Sequence, residues 1–369
     1  MIKLLVVDDS ALMRKHLVQV FERQGDYTIL AVRNGIEALQ ALEEFDPDVI
    51  TLDINMPGMD GLTCLSRIMV QKPKPVVMVS SLTEQGAEAT FEALALGAID
   101  YIQKPEGTIS LDIVRIEREL TMKVRAAATA RIRRSGGLKT RLAERTKISA
   151  ATTDKRLAPL SKDKLGVVLI GVSTGGPGTL EEIVPRLPAN FPWAVVISQH
   201  MPSGFTGPFA RRVAQLSQVP VTEVARPTVL EGASVYIAKG EADIIFSNTG
   251  LGLTALSAPA SSKHLWHPSV TRMVESAMAA VPPERLIGVQ LTGMGDDGAK
   301  AMPELRRRGG RTIAQNEESC VVFGMPAELI RQGGADVVLP MHRIAGQLIE
   351  WLAASTPKKK PSEVRYGAT

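Results

Sequence analysis

Apolar runs of five or six residues alternate with amphipathic stretches along most of the chain. In residues 1–122 the runs are KLLVV, TILAV, DVITL, PVVMVS and AIDYI. Between them, ALMRKHLVQVFERQ, GIEALQALEEF, GLTCLSRIMVQ and GAEATFEALALG repeat their apolar positions at intervals of three and four, the period of a helix with one buried face. Such alternation predicts a parallel sheet with helices on both faces. A last helix is expected from about Ser110. The rhythm resumes at LGVVLIG and continues to about Ala354, with strand-like runs GVVLIG, WAVVIS, ASVYIA, DIIFS, LIGVQLT, GRTIAQ and ADVVLP. That predicts a second α/β domain over residues 164–354. The intervening stretch, 123–163, is poor in large apolar residues and rich in Ala, Thr, Arg and Lys, and reads as a linker, helical in its first part. STPKKKPSEVRYGAT has the composition of a disordered tail over 355–369.

Length and composition narrow this picture. At 369 residues the chain accommodates two ordinary domains and a connector. No apolar run approaches membrane-spanning length, so no membrane insertion is expected. The opening MIKLLVVDDS reads as a buried strand and its loop, not a secretory signal. Cys64 and Cys320 match no metal or redox spacing, which leads to the expectation of a cytoplasmic protein with reduced thiols. The net charge is +4, but Lys123 to Lys164 holds thirteen Lys/Arg against three Asp/Glu, a local +10. The remainder therefore carries −6, and aromatic residues make up only 4%. A nucleic-acid footprint would need basic residues and stacking aromatics on a folded face, so no nucleic-acid partner is expected.

Two groups of polar residues fall just past strand ends. Asp8 and Asp9 follow the first run and Asp53 the third; Ser80 and Lys104 end the fourth and fifth. In a doubly wound sheet of order 2-1-3-4-5, the first and third strands are neighbours and their carboxyl ends form the crevice. Three carboxylates converging there repel one another unless a hard cation such as Mg²⁺ sits among them. The plainer alternative is that the first aspartates cap the next helix. The pattern VVDDS, LDINMPGMDG, VMVSS and YIQKP resembles response-regulator receiver domains over residues 1–122. That resemblance implies a flavodoxin-like fold in which Asp53 accepts a phosphoryl group from a histidine kinase. Asp8, Asp9, Asp53 and the backbone carbonyl of Asn55 would hold Mg²⁺, Ser80 would move onto the phosphoryl oxygens, and Lys104 would pair with them.

In the second domain, Ser173 lies in GVSTGGPGTLEEI after an apolar strand. This fits either a strained turn presenting a nucleophile or a glycine loop cradling phosphate. A dinucleotide site would want an acidic residue at the end of the next strand, where Gln199 and His200 stand instead, and no Lys follows the glycines. A serine needs an imidazole to take its proton and a carboxylate to orient that imidazole. His200, in SQHMPSGF, and Asp296 or Asp297, in GMGDDGA, follow two further strands. N–H groups at the helix start after Gly175-Gly176-Pro177 are available for an oxyanion. Bland readings exist for each: a turn serine, a bonded histidine, a DDG turn. His264 and His267, in SSKHLWHPSV, are rival imidazoles; Pro268 is expected to start a helix there, with His267 merely preceding it, and no third ligand makes a metal site. His16 and His342 lack polar company.

IGVSTGGP, SQHMPSGFT, HPSV and LTGMGDDGA, in that order, resemble the catalytic domain of chemotaxis protein-glutamate methylesterases over roughly residues 164–354. The resemblance implies a Rossmann-like α/β/α esterase domain without a cofactor of its own, so that the whole chain is two doubly wound α/β domains joined by a basic linker. It selects Asp297 over Asp296, giving Ser173, His200 and Asp297 as triad. Thr174 and Met294 are the expected oxyanion residues, Met294 through its backbone N–H. It implies hydrolysis of glutamyl γ-methyl esters, and deamidation of glutamines, on methyl-accepting chemoreceptors. Val172 and Thr271 depart from the family's usual residues. The rival reading is a receiver-controlled binding module that acts on receptors or nucleic acid without catalysis.

Overall fold

The computed structural model describes residues 1–81, 83–104, 111–130 and 165–354. Pro105, Ser110, the expected linker from residue 131 onward and the expected tail over 355–369 lie outside these described residues.

The first body is built from β1 (Ile2–Val7), α1 (Ala11–Glu22), β2 (Tyr27–Val32), α2 (Gly35–Glu44), β3 (Val49–Asp53), α3 (Gly61–Gln71), β4 (Val76–Ser80), α4 (Glu84–Leu96), β5 (Asp100–Gln103) and α5 (Leu111–Ala128). Its five strands pair in the order β2-β1-β3-β4-β5, all parallel. β3 and β4 are buried at every position, which is why they read as continuous apolar runs. Helix starts follow local chemistry. Ser10, Asn34, Asp60 and Thr83 each accept an N–H from the first turn of α1, α2, α3 and α4, satisfying donors the helix itself leaves open. Neither Asp8 nor Asp9 caps α1; Ser10 does. α5 keeps packing on this body to Val124 and Ala127, beyond residue 122.

The second body continues with β6 (Val167–Val172), α6 (Gly176–Ile183), β7 (Ala194–Gln199), α7 (Ser203–Leu216), β8 (Val221–Val224), β9 (Thr228–Val229), β10 (Ser234–Ala238), β11 (Ala242–Thr249), β12 (Gly252–Pro259), α8 (Val270–Ala280), β13 (Leu286–Gln290), α9 (Ala301–Arg307), β14 (Arg311–Gln315), α10 (Met325–Arg331), β15 (Val337–Leu339) and α11 (Met341–Ala354). Seven strands form a parallel sheet in the order β15-β14-β13-β6-β7-β10-β8. The run DIIFS, expected to continue the strand–helix rhythm, belongs elsewhere. As β11 it pairs antiparallel with β12, which pairs antiparallel with β9, in a separate three-stranded sheet. Thr249 pairs with Gly252 across a two-residue tip. A connection that short closes a hairpin and cannot cross over to a parallel neighbour. β12, in GLTALSAP, is too weakly apolar to stand out in the sequence.

One buried cluster runs through both bodies. α4 lies against α7, with the Phe91 ring centroid 5.4 Å from Phe209 and 6.3 Å from Phe205. Tyr101, on β5, sits 4.6 Å from Phe205.

Candidate active site

Ser173 follows β6, whose six residues are all buried. Its N–H donates to the Thr292 carbonyl at 3.0 Å, and its own carbonyl accepts from Gly176 at 2.8 Å. Gly175, at φ 76°, turns the chain into α6, a backbone state that glycine reaches without strain. Val172 is in register with Gln199 on β7, so Ser173 and His200 stand at the ends of adjoining parallel strands, which run about 4.8 Å apart. His200 N–H donates to the Val172 carbonyl at 3.1 Å. The Gln199 amide clamps the pair, donating to the carbonyls of Ser173 at 3.0 Å and His200 at 3.1 Å.

Asp297 meets His200 across 97 residues of sequence: Nε2 lies 2.9 Å from Oδ2. The same carboxylate accepts the N–H groups of Val270 (2.7 Å) and Thr271 (2.9 Å) and the Ser269 hydroxyl (3.2 Å). It therefore occupies the N-terminus of α8, where unpaired donors and the helix dipole favour an anion. Burial pushes its carboxyl upward, but the bonds from His200 and Thr271 outweigh that and hold it well below the usual carboxylate range. An ionised Asp297 accepts from Nε2, which makes Nε2 the protonated nitrogen and leaves the lone pair on Nδ1. Nδ1 is buried with no hydrogen-bond partner among the described residues. Asp296, the other member of the DDG turn, is exposed. Ser173 Oγ and His200 are not hydrogen-bonded to each other in this state; such bonds often tighten only with substrate.

Of the expected oxyanion residues, Thr174 follows the serine directly and Met294 follows Gly293. Thr292 holds the region together, its hydroxyl within donating distance of two carbonyls, Thr174 (2.9 Å) and Val322 (3.1 Å), that share its one proton. Next to it, a side chain at Gly293 would begin only 2.6 Å from Ser173 Cβ, so Gly293, the residue before Met294, packs directly against Ser173. The Thr174 hydroxyl points to the other body and donates to Asp100 on β5 at 2.6 Å.

In the first body, ligand atoms of Asp8, Asp9 and Asp53 lie within 4.8 Å of one another. Lys104 Nζ bridges Asp53 Oδ2 at 2.7 Å and Asp8 Oδ2 at 3.1 Å. The Asn55 N–H donates to Asp53 at 3.2 Å. Burial raises the Asp53 carboxyl against the opposing pull of Lys104, and Asp8 raises it further. One ammonium against three carboxylates leaves this rim short of positive charge, and an all-oxygen donor set suits a hard divalent cation. The Ser80 hydroxyl is turned to the Gly86 carbonyl, 3.1 Å away.

Comparison with known proteins agrees with both halves. Residues 4–113 match the response regulator receiver domain family and residues 168–348 the CheB methylesterase family. The chain is 61% identical to protein-glutamate methylesterase/protein-glutamine glutaminase 3 of Rhodospirillum rubrum, over 96% of this chain and 97% of that one. The chain belongs to the protein-glutamate methylesterase/protein-glutamine glutaminase family. A second relative, from Rhodopseudomonas palustris, is 52% identical over 95% of this chain and 98% of its own. Among solved structures, the CheB methylesterase catalytic domain of Thermotoga maritima is 37% identical, covers 51% of this chain and 98% of its own, and superposes with a TM-score of 0.49. Among the described residues, no helix of this family member is long and apolar enough to cross a membrane.

Sequence reasoning missed three residues of this family member's site. Trp266 stacks on His200. Asp243, on β11, is 1% exposed and accepts from His267 Nδ1 (2.8 Å), Arg272 (2.7 Å) and the N–H groups of Ser261 and Ser269. Burial pushes its carboxyl up, but these donors hold it below its ordinary value. His267 is thus tied to Asp243 rather than merely preceding a helix, and α8 starts at Val270, capped by Ser269, rather than at Pro268. Asp100, the third, reaches Thr174 from the receiver. The signal available was an aspartate in an apolar run, Asp243 at the head of DIIFS and Asp100 within AIDYI; Trp266 had none.

Proposed function

We propose that this chain is a phosphorylation-regulated serine esterase that hydrolyses glutamyl γ-methyl esters on methyl-accepting chemoreceptors and deamidates receptor glutamines. The carrying observation is the His200–Asp297 hydrogen bond at a strand end adjoining Ser173; membership of the family supports the choice of substrate. Ser173 Oγ attacks the ester carbonyl while His200 takes its proton, and Asp297 holds the imidazolium that forms. The N–H groups of Thr174 and Met294 receive the oxyanion. His200 then returns the proton to departing methanol. A water deprotonated by His200 attacks the glutamyl ester of Ser173, and the serine leaves with that proton, giving glutamate and free enzyme. With a glutamine substrate the departing group is ammonia.

In the receiver, Asp53 accepts the phosphoryl group from a chemotaxis histidine kinase. Asp8, Asp9, Asp53 and the Asn55 carbonyl would hold Mg²⁺, which supplies neutralisation of phosphoryl charge when bound. Lys104 pairs with the phosphoryl oxygens and Ser80 turns toward them. Without phosphate the receiver shields the esterase groove, an idea supported by the Thr174–Asp100 bond and the α4–α7 packing. Methanol release from methylated receptor membranes, with and without a small phosphodonor, tests both halves. Ser173→Ala is expected to abolish release; Asp53→Ala is expected to keep the basal rate and lose the response to phosphodonor. Release unaffected by Ser173→Ala removes the serine from the mechanism.

A further inference from the structure

We propose that Trp266 is a positioning residue for His200, set in place by Asp243. The proposal rests on His200 being the base of the serine esterase. The indole lies nearly parallel to the imidazole, with ring centroids 5.5 Å apart and planes 11° from parallel. It also spans to the turn beside the serine: its Nε1 comes within 3.4 Å of where a side chain on Gly295 would begin. One flat side chain therefore joins the imidazole to the turn that carries Met294.

The loop presenting this indole is anchored on both sides of it by one carboxylate. Asp243 accepts the Ser261 N–H at 3.0 Å before Trp266 and the Ser269 N–H at 2.8 Å after it, and it binds the adjacent His267 at 2.8 Å. Arg272 Nη1, 2.7 Å away, supplies the balancing charge. A buried carboxylate with this many donors is expensive to disturb, so Trp266 is delivered from a stiff support.

The chemistry needs such a support. The Asp297 bond fixes His200 at Nε2 alone, and rotation of an imidazole about its terminal torsion is otherwise broad. A flat partner restrains that rotation and keeps Nδ1 aimed. When His200 takes the serine proton, the ring becomes a cation against a π face, an attraction far weaker for the neutral ring. The stack thus favours the transition state over the ground state, an effect read in kcat and not in KM.

The test uses the full chain with phosphodonor and two readouts. An alkyl fluorophosphonate reports Ser173 reactivity without any receptor: Ser173 Oγ bonds to phosphorus, fluoride leaves, and His200 takes the serine proton. Methanol release from receptor membranes reports turnover. Trp266→Ala, and Trp266→Leu, which keeps apolar bulk, are each expected to slow labelling and lower kcat about tenfold, with KM within about twofold. Trp266→Phe, which keeps a flat face, is expected to recover most of the loss. Labelling at the wild-type rate in Trp266→Leu, a loss confined to KM, or a Phe variant no better than Leu overturns the proposal. A wild-type chain that takes no probe at Ser173 overturns the serine reading and this proposal with it; wild-type labelling alongside unchanged variants overturns this proposal alone.

Discussion

Asp297 receives four donors, from His200, Ser269, Val270 and Thr271. The same charge that anchors α8 also sets which nitrogen of His200 carries the proton. Asp297→Asn keeps the shape but presents an amide that no longer forces Nε2 to be the donor. Its kcat for methanol release is expected to fall about 10³–10⁴-fold, and a fall of less than tenfold would contradict the tautomer assignment. The carboxyl also links folding to pH. Its folded pKa lies below the ordinary 3.8, so its stabilisation is fully present above about pH 4 and is lost as pH falls through the folded value. Melting temperatures below about pH 4 should therefore drop more steeply for wild type than for Asp297→Asn. Asp53 shifts the opposite way because burial and Asp8 outweigh Lys104. The two carboxylates thus shift in opposite directions: despite its burial, four donors hold Asp297 low, while burial and Asp8 raise Asp53 against Lys104.

Strands buried along their whole length carry Asp53, Ser80, Ser173 and His200 to the rims of their sheets, and short turns then bring loops into contact. One such close contact, at the serine, is made by Gly293. A Cβ there would sit 2.6 Å from Ser173 Cβ and 2.5 Å from Met325 Sδ, so Gly293→Ala must displace one of them. A shift of about 1 Å in a reacting group is worth about 10²-fold in rate. The Gly293→Ala esterase should lose activity on that scale while its receiver still takes phosphate from a small donor. Full activity would show that the turn is not pressed against the serine during turnover. Most parallel strands were legible from their apolar runs because both faces are buried, but the edge strand β8, part-exposed along VTEV, carried no such run and was missed. β9 has two residues and β12 is half exposed, so neither carries a periodic signal, and β11 looked like one more parallel strand.

Across the whole molecule the receiver's α4 and β5 meet the esterase at α7 and the serine turn. Aromatic rings meet there, through Phe91, Tyr101, Phe205 and Phe209. Asp100 adds a polar contact, accepting from Thr174 across the interface at 2.6 Å and pairing with Lys123 of its own body at 3.3 Å. An interface of few aromatic anchors is sensitive to the loss of one. Phe91→Ala is expected to raise methanol release without phosphodonor about tenfold, with little further gain on phosphorylation. An unchanged basal rate would show that this contact does not restrain the enzyme.

Local order along the chain was enough to define two α/β bodies, to place Asp8, Asp53, Ser173 and His200 at or just past strand ends, and to assign the positive charge to the stretch between the bodies. Those properties depend on near neighbours: the period of apolar residues, and the residue that follows a strand. Contacts between residues 74 or 97 positions apart, Thr174 with Asp100 and His200 with Asp297, depend on the path of the folded chain. Spacing alone left Asp296 and Asp297 equivalent, until burial of one and exposure of the other separated them. The antiparallel turn of β11, the reach of Asp243 across its loop and the indole laid on His200 were likewise decided by tertiary packing, because each joins segments that acquire a fixed distance only when the core between them is closed.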